Sequence, residues 1–501
     1  MTDVFQLVPG QLSLNTIKSA LAHNQDISID EQFFPAIDAS CEVVNKIIRE
    51  KRTVYGINTG FGSLAKQSIS IENLIQLQRN IVLSHACGTG ELLTDKQVAL
   101  IMLLKINNLA QGYSGVRREL IEALCNLYNR RVYPCIPGKG SVGASGDLAP
   151  LAHLALPLLG EGQVRFQGEL IQASEGLAMA GLSPLELAAK EGLALLNGLQ
   201  VSTALSIEAF FKCELLFETA IIAGSLSVDA ASGSDVPFDD RIHLARGYQS
   251  QREVAAMYRE LLAGSAIRES HRDCSRVQDP YSLRCQPQIM GAVWHQMKFV
   301  RDTLQIEANA ISDNPLIFVE EEEILSGGNF HGEMIAMACD NLALAIAEIG
   351  ANAERRIALL IDSNFSGLPA FLVKESGLNS GFMIAHVTAA ACASDNKALA
   401  HPHSVDSLPT SANQEDHVSM ATNAARRLEA MIDNTATILA IELLAACQGL
   451  EFHKPLTTSK ILQQSYDKVR THVKPYDKDR YFAPDIASIK ELILKGEFRR
   501  H

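Results

Sequence analysis

The chain of 501 residues is long enough for two or three structural units, and 47% of its residues are hydrophobic against 20% charged, as in globular proteins. Its 44 basic and 57 acidic residues give a formal net charge of −13, which disfavours nucleic acid as a partner because phosphates bind clustered Lys and Arg. The N-terminal residues lack the features of a signal peptide, and no run of about eighteen apolar residues follows them. We therefore expect a cytoplasmic protein that binds neither nucleic acid nor membrane.

The sequence offers little sign of a disulfide or a metal site. Its ten cysteines lie far apart without a CxxC pair, which is typical of reduced thiols. His401 and His403 flank Pro402, but no third ligand lies near them in the sequence, so a loop is favoured over a metal site. No metal is therefore predicted.

The first unusual segment is the glycine-rich stretch 53–62, TVYGINTGFG, which contains Tyr55. A tyrosine acts as a base near neutral pH only where positive charge or hydrogen-bond donors stabilise its phenolate. On composition alone, Tyr55 would more often be a buried aromatic residue with a hydrogen-bonded tip. The surrounding glycines favour a functional loop instead.

A second glycine-rich loop, residues 138–143, reads GKGSVG and matches the dinucleotide-binding pattern G-x-G-x-x-G. That pattern requires a preceding strand within a βαβ unit. Pro134 and Pro137 interrupt the segment where such a strand would lie. Nucleotide binding is therefore not predicted.

The same loop continues as Ala144-Ser145-Gly146-Asp147, where the backbone itself can react. Attack of the Gly146 amide nitrogen on the Ala144 carbonyl carbon closes a five-membered ring, and the missing Cβ of glycine permits this close approach. Loss of water from the ring and of the Ser145 hydroxyl leaves an exocyclic methylidene group, a strong electrophile. A bare tripeptide of this kind is more often a flexible loop in which Asp147 caps the next helix.

After this loop, the pattern becomes mainly helical. Strand hairpins are predicted only at residues 164–173 and 316–325. Long apolar-periodic helices are predicted at residues 193–223, 286–311, 331–361, 380–400 and 418–449. Because these helices are apolar on nearly every side, they belong inside a bundle or in a subunit interface, and we expect an obligate oligomer.

These patterns predict a mainly α protein in two regions. Residues 1–190 form a mixed N-terminal region that carries the Tyr55 loop and the Ala-Ser-Gly tripeptide. Residues 191–501 form a bundle of long helices with further helices at the C-terminus.

Four later segments extend the set of motifs: LLNGLQ at 195–200, QDPYSLRCQP at 278–287, GGNFHG at 327–332 and SANQEDHVSM at 411–420. Together with residues 53–62 and 143–151, they resemble the motifs of the aromatic amino acid ammonia-lyase family, and the likeness runs from about Tyr55 to beyond Glu415. It implies the helical fold of the fumarase/aspartase superfamily. It also implies that the tripeptide cyclises to 4-methylideneimidazol-5-one, with no soluble cofactor.

The resemblance assigns chemical roles to three side chains. Tyr55 matches the general base, Asn197 the asparagine that hydrogen-bonds close to the electrophile, and Tyr281 a residue that supports the chemistry. Many relatives carry Thr after the Asn-Gly pair, where this chain has Leu199. A hydroxyl contact is therefore not expected at that position.

The same resemblance implies how an amino acid substrate is held. Arg284 matches a clamp for the substrate carboxylate, which a planar guanidinium can bind through two parallel hydrogen bonds. Gln278 and Asn329 match further contacts to the carboxylate, and Phe330 matches the wall of the pocket.

Glu415 carries most of the information about the substrate. In the histidine-specific form a glutamate faces the substrate ring, whereas phenylalanine and tyrosine lyases are expected to carry glutamine here. A buried carboxylate against a phenyl ring would lack a partner, while an imidazole can donate an N–H to it. His85 is a second expected ring contact, and Met383 is a candidate for the ring pocket. The predicted reaction is elimination of ammonia from L-histidine to give trans-urocanate.

Two alternatives remain open. A tyrosine or phenylalanine lyase, or a 2,3-aminomutase, would share the scaffold, although Glu415 disfavours the two lyases. A non-enzymatic oligomeric helical scaffold is disfavoured because the tripeptide, Tyr55 and Arg284 are all present. The resemblance further implies a homotetramer in which three subunits contribute to each active site.

Overall fold

The computed structural model describes residues 4–60, 62–64, 67, 69–272 and 277–500, with only the backbone of Ser63. The chain divides into two compact units. The first unit comprises Met1–Glu208, Arg301–Cys339 and Pro402–Arg426, and the second comprises Ala209–Val300, Asp340–His401 and Arg427–His501. Both units are therefore discontinuous in sequence, and the division at residue 190 stays a prediction.

The strands of the first unit are short and pair in small groups. Val4–Leu7 pairs in parallel with Asp26–Ile29, Thr89–Leu92 pairs with Pro137–Lys139, Gln163–Phe166 pairs with Tyr133–Pro134 and Glu169–Gln172, and Leu316–Phe318 pairs with Glu323–Leu325. The two predicted hairpins are confirmed. The other strands, of two to four residues each, were not predicted.

Helices make up most of the first unit. They are Leu14–Ala22, Phe34–Arg49, Leu74–His85, Asp95–Leu109, Arg118–Asn129, Leu148–Ala155, Ala173–Met179, Glu191–Leu196 and Ala421–Arg426. Asp95–Leu109 begins with a capping box, because the Thr94 hydroxyl accepts from the Gln97 N–H and the Gln97 side chain accepts from the Thr94 N–H. Nearly all its residues from Val98 to Leu109 are buried.

Three long helices continue from residues of one unit into residues of the other: Gln200–Ala230, Gln286–Glu307 and Glu333–Ile361. The prediction of one continuous helix at 193–223 was wrong. It is interrupted at Asn197, whose backbone is extended, and at Gly198, whose φ of +124° does not fit a helix. This break places the Asn197 side chain between two helix ends.

The second unit is helical in the part that the structure describes. Its helices are Asp240–Arg246, Gln249–Leu262, Ala266–Glu269, Tyr281–Arg284, Ser363–Ser366, Met383–Leu399, Leu428–Glu451, Lys460–His472 and Ala483–Leu494. Met383–Leu399 packs against Leu428–Glu451. Its buried residues Ala385, Ala389 and Ala393 lie four apart on one face, where small side chains allow close approach.

Two helical stretches, Glu333–Ile361 and Ala421–Glu451, are long and apolar enough to cross a membrane by length and composition alone, each with a mean hydropathy of 1.5. Most of each apolar stretch is buried inside the protein, 61% and 78% respectively. Such burial is the usual state of core helices.

Candidate active site

A cavity of about 400 Å³ lies in the first unit, where several distant segments of the chain meet. Its wall consists of Tyr55, Gly62, Ala144, Ser145, Asn197, Asn314, Ser326, Gly327, Phe330, His331, Gln414, Glu415, Asp416 and His417. The cavity therefore joins the Tyr55 loop, the Ala-Ser-Gly tripeptide and the 411–420 segment.

The tripeptide backbone is tightly curved and closely packed. Ser145 and Gly146 both lie in the left-handed region, with φ of +51° and +79°. Gly146 forms a parallel bridge with Gly198, and an ideal Cβ on Gly146 would lie 2.1 Å from the Gly198 carbonyl oxygen. Only glycine fits at this position, so the Gly146 amide is held in a conformation that a larger residue could not adopt.

Asp147 anchors the C-terminal end of the tripeptide. Its N–H donates to the Gly198 carbonyl over 2.8 Å. Its fully buried carboxylate accepts from the Ser202 N–H at 2.8 Å and from the hydroxyls of Ser202, Ser141 and Thr422 at 2.9, 3.0 and 2.5 Å. Burial raises the pKa of Asp147, although these hydrogen bonds oppose the rise. The carboxylate makes no capping hydrogen bond to the following helix. Its hydrogen bonds hold the loop instead.

Glu415 lies beside the Tyr55 loop. The Tyr55 hydroxyl accepts from the Gly62 N–H at 3.4 Å, and Glu415 Oε1 lies 3.7 Å from an ideal Cβ on Gly62. The other carboxylate oxygen, Glu415 Oε2, is buried and has no hydrogen-bond partner among the described residues, and the same holds for Asn197 Oδ1. Two residues of the cavity wall thus each carry a buried acceptor without a partner among the described residues.

Six of the predicted site residues line this one cavity: Tyr55, Ala144, Ser145, Asn197, Phe330 and Glu415. Three further predicted residues of the first unit, Gly146, His85 and Asn329, are not among the residues that line it. His85 contacts the Ser84 hydroxyl at 3.0 Å, and burial lowers the pKa of its imidazole. Asn329 is exposed and donates to the Ile311 carbonyl at 3.2 Å.

Four predicted residues belong to the second unit and do not line the cavity: Gln278, Tyr281, Arg284 and Met383. Tyr281 is 70% exposed, and the Arg284 guanidinium lies 4.6 Å from the centre of its ring. Arg284 Nε donates to the Asp279 carbonyl at 3.0 Å. Met383 is 38% exposed at the first position of its helix, rather than a core residue.

Sequence reasoning missed eight residues of the cavity wall. Six of them lie inside the quoted motifs and could have been found there: Gly62, Gly327, His331, Gln414, Asp416 and His417. Asn314 and Ser326, which share a 3.1 Å hydrogen bond, lie in no quoted motif. Donor atoms of His331, Glu333 and His417 lie within 4.8 Å of one another and could hold a metal ion, a grouping that their distance in sequence concealed.

The family model of the aromatic amino acid lyases matches residues 12–471 of the chain. The chain belongs to this family. A histidine ammonia-lyase of Legionella pneumophila (strain Lens) is 76% identical to this aromatic amino acid lyase over 498 residues, 99% of this chain and 98% of the relative.

Two solved structures show the same fold. A histidine ammonia-lyase from Trypanosoma cruzi is 39% identical, with a TM-score of 0.91 over 98% of this chain and 94% of that one. A phenylalanine aminomutase from Pantoea agglomerans is 33% identical, with a TM-score of 0.94 over 98% and 99%. The mainly α fold of this aromatic amino acid lyase, shared with the fumarase/aspartase superfamily, is confirmed. Members of the family use the electrophile 4-methylideneimidazol-5-one.

Proposed function

We propose that this lyase removes ammonia from L-histidine to give trans-urocanate, and that the cavity is its active site. One observation carries the proposal: the buried, unpartnered Oε2 of Glu415 lies in the same cavity wall as Ser145. An imidazole N–H can donate to this oxygen, whereas a phenyl ring would leave it without a partner. The 76% identity to a histidine ammonia-lyase supports the same substrate.

We also propose that Ala144-Ser145-Gly146 cyclises to 4-methylideneimidazol-5-one. The surroundings fit this group: Gly146 has no room for a Cβ, two consecutive left-handed residues curve the loop, and Asn197 Oδ1 is an acceptor without a partner. Once formed, the group supplies an electrophilic carbon for the substrate amine. The hydrogen bonds to Asp147 hold the loop in place.

In this mechanism, Tyr55 takes the proton from Cβ of the substrate. The Cβ–H and Cα–N bonds break, a carbon–carbon double bond forms between Cα and Cβ, and the amine leaves as ammonia. Glu415 orients the imidazole ring, and Phe330 covers its apolar face. Positioning of this kind accounts for a large share of the rate in enzymes generally, because reacting atoms are held at attack distance.

We further propose a homotetramer with three subunits at each active site, in which Gln278, Tyr281 and Arg284 reach the cavity of a neighbouring subunit. Arg284 and Gln278 bind the substrate carboxylate there, and Tyr281 supports the chemistry. Tyr281 is 70% exposed, which leaves this segment available to another subunit. The long helices also expose apolar side chains, at Met334, Met337, Leu344, Ile384 and Val387. The nine described cysteines are free thiols, which supports a reducing compartment, the cytoplasm.

The decisive experiment compares L-histidine, L-phenylalanine and L-tyrosine as substrates, with urocanate and ammonia measured together. We expect turnover of histidine. Turnover of phenylalanine or tyrosine with histidine untouched would contradict the proposal. Formation of a β-amino acid would instead indicate an aminomutase, the activity of the related Pantoea enzyme.

Intact-mass measurement tests the electrophile independently. The wild-type chain should lack two waters relative to its sequence, and Ser145→Ala should restore the full mass. A wild-type chain of unmodified mass would refute the mechanism. Mixing Tyr55→Phe with Arg284→Ala subunits tests the shared site, because tetramers of both variants should regain activity that neither variant has alone.

A further inference from the structure

Lys105 is a buried cation without an opposite charge beside it. It lies in the apolar helix Asp95–Leu109 and its side chain is fully buried. Its ammonium donates to the Asn197 backbone carbonyl at 2.6 Å and to Gln200 Oε1 at 3.2 Å. Among the described residues, no carboxylate oxygen lies within the 4.0 Å of an ion pair. Both partners of Lys105 are therefore neutral oxygens.

Burial of the Lys105 ammonium lowers the stability of the fold. The pKa of its ammonium is lowered to about 7, mainly by burial; the charge of Lys190 also lowers it, whereas Asp313 and Asp147 raise it. By contrast, Lys190 itself donates to Asp313 Oδ2 at 2.8 Å in a fully buried ion pair. Because a buried charge without a partner destabilises the fold, Lys105 calls for a function that an apolar side chain would not serve.

Lys105 donates to the carbonyl of Asn197, and the Asn197–Gly198 segment packs against the tripeptide. Asn197 and Gly198 share a peptide bond, and Gly198 bridges Gly146 and accepts from the Asp147 N–H at 2.8 Å. The segment is fixed at its far end by Leu199, whose N–H donates to the Ser312 hydroxyl at 3.2 Å. Lys105 supplies the support at the near end.

We propose that Lys105 is a positioning residue for the electrophile: its ammonium holds the Asn197–Gly198 backbone against Gly146, so that the tripeptide is kept in the conformation from which it cyclises. The inference rests on the proposed function, since it requires that the ring forms. It concerns ring closure, in which the Gly146 nitrogen bonds to the Ala144 carbonyl carbon and two waters leave. Lys105 gains and loses no bond in this step.

Lys105→Met separates this role from stability. Methionine is similar in length and apolar, so the variant loses the hydrogen bonds to Asn197 and Gln200 but also removes the buried charge. We expect Lys105→Met to fold and to assemble like the wild type. Most of its folded chains should keep both waters, whereas the wild type should lack them.

Lys190→Met is the matched control, because it also removes a buried ammonium from the first unit. It leaves Asp313 as a buried charge without its partner, so it should lower the melting temperature more than Lys105→Met does. The Lys190 ammonium does not contact the Asn197–Gly198 segment. Chains of Lys190→Met should therefore lack two waters, like the wild type. If Lys105 served stability alone, Lys105→Met would instead lower the melting temperature more than Lys190→Met does.

Lys105→Gln serves as a second variant, since its shorter side chain cannot reach the Asn197 carbonyl from the same backbone. Complete loss of two waters from folded Lys105→Met or Lys105→Gln chains would overturn the proposal. Failure of both variants to fold, while Lys190→Met folds, would overturn it too, because Lys105 would then serve stability. A wild-type chain that keeps both waters would instead refute the proposed function.

Discussion

Two carboxylates, Glu442 in the second unit and Glu415 in the first, have different surroundings. In the second unit, Glu442 is fully buried and both its oxygens accept from the Arg356 guanidinium, at 2.5 and 2.9 Å, while the Ser227 hydroxyl donates to it at 2.8 Å. In the first unit, Glu415 Oε2 is buried in the cavity wall without a partner among the described residues. The same carboxylate chemistry is thus neutralised in one unit and left available in the other.

The difference shows where the protein accepts a cost. A buried ion pair offsets part of the desolvation of its charges, whereas a lone buried acceptor keeps the full penalty until something donates to it. The second unit places Glu442 in a helical core. The first unit keeps unpartnered acceptors around a cavity, as expected for a ligand that brings its own donors.

The largest effect is expected for Tyr55→Phe in the cavity. Loss of the phenolic oxygen removes the proposed base, and kcat should fall by about 10²- to 10⁴-fold. Because Tyr55 is half-buried and its hydroxyl, among the described residues, accepts only a long hydrogen bond from Gly62, the melting temperature should stay near that of the wild type. Intact mass provides the control, since the chain should still lack two waters. A variant with normal kcat would remove Tyr55 from the mechanism.

Glu442→Leu should produce the largest effect on stability. It leaves the Arg356 guanidinium buried without its partner, and we expect a loss of about 3–5 kcal/mol in the free energy of unfolding. The double variant Arg356→Met with Glu442→Leu removes both charges and should recover most of that loss. Chemical denaturation followed by circular dichroism measures both. Equal instability of the single and double variants would contradict this account of the second unit.

Glu415→Gln should change the substrate dependence without destabilising the fold. The imidazole would lose a charged acceptor, so kcat/KM for histidine should fall by about 10- to 100-fold. The melting temperature should be unchanged or higher, because a carboxylate with one buried, unpartnered oxygen is removed. Asp416→Asn, a like change at an exposed neighbour in the same wall, is the control and should alter kcat/KM less. A larger effect at Asp416 would place the ring contact there.

The smaller of the two expected effects on stability concerns Asp229, a buried carboxylate of the second unit that has no basic hydrogen-bond partner among the described residues. Its Oδ2 accepts from the hydroxyls of Ser265 and Thr458, at 2.7 and 2.5 Å, and burial raises its pKa to about 6. The folded chain therefore binds a proton that the unfolded chain has released, and stability falls as the pH rises from about 4 through 6.

Asp229→Asn removes this titration but keeps an amide oxygen for the two hydroxyls. Relative to the wild type, it should gain about 2–3 kcal/mol between pH 4 and pH 7, because the pKa of Asp229 is raised by about two units and each unit corresponds to about 1.4 kcal/mol. Melting temperatures of both proteins across that range measure the gain. A constant difference at every pH would contradict the assignment.

The sequence predicted the helical character of the fold well, because apolar residues at steps of three and four persist over many turns. It erred where tertiary contacts override that pattern. At Asn197 and Gly198 the apolar periodicity continues, yet the backbone leaves the helix so that Gly198 can approach Gly146. The site was predicted in part: six of the predicted residues of the first unit line one cavity, whereas Arg284 lies in the second unit and its role stays a prediction.

The order of residues along the chain determined which reactive groups the protein contains. Ala144-Ser145-Gly146 specifies a backbone that can cyclise, since only a glycine nitrogen can approach so closely, and Glu415 specifies an acceptor for a polar ring. Only the tertiary structure decided that these groups share a wall, and that Lys105 supports the Asn197–Gly198 segment from within an apolar helix. The reason is physical: side-chain identity is fixed residue by residue, whereas the distance between remote segments depends on how all the intervening helices pack.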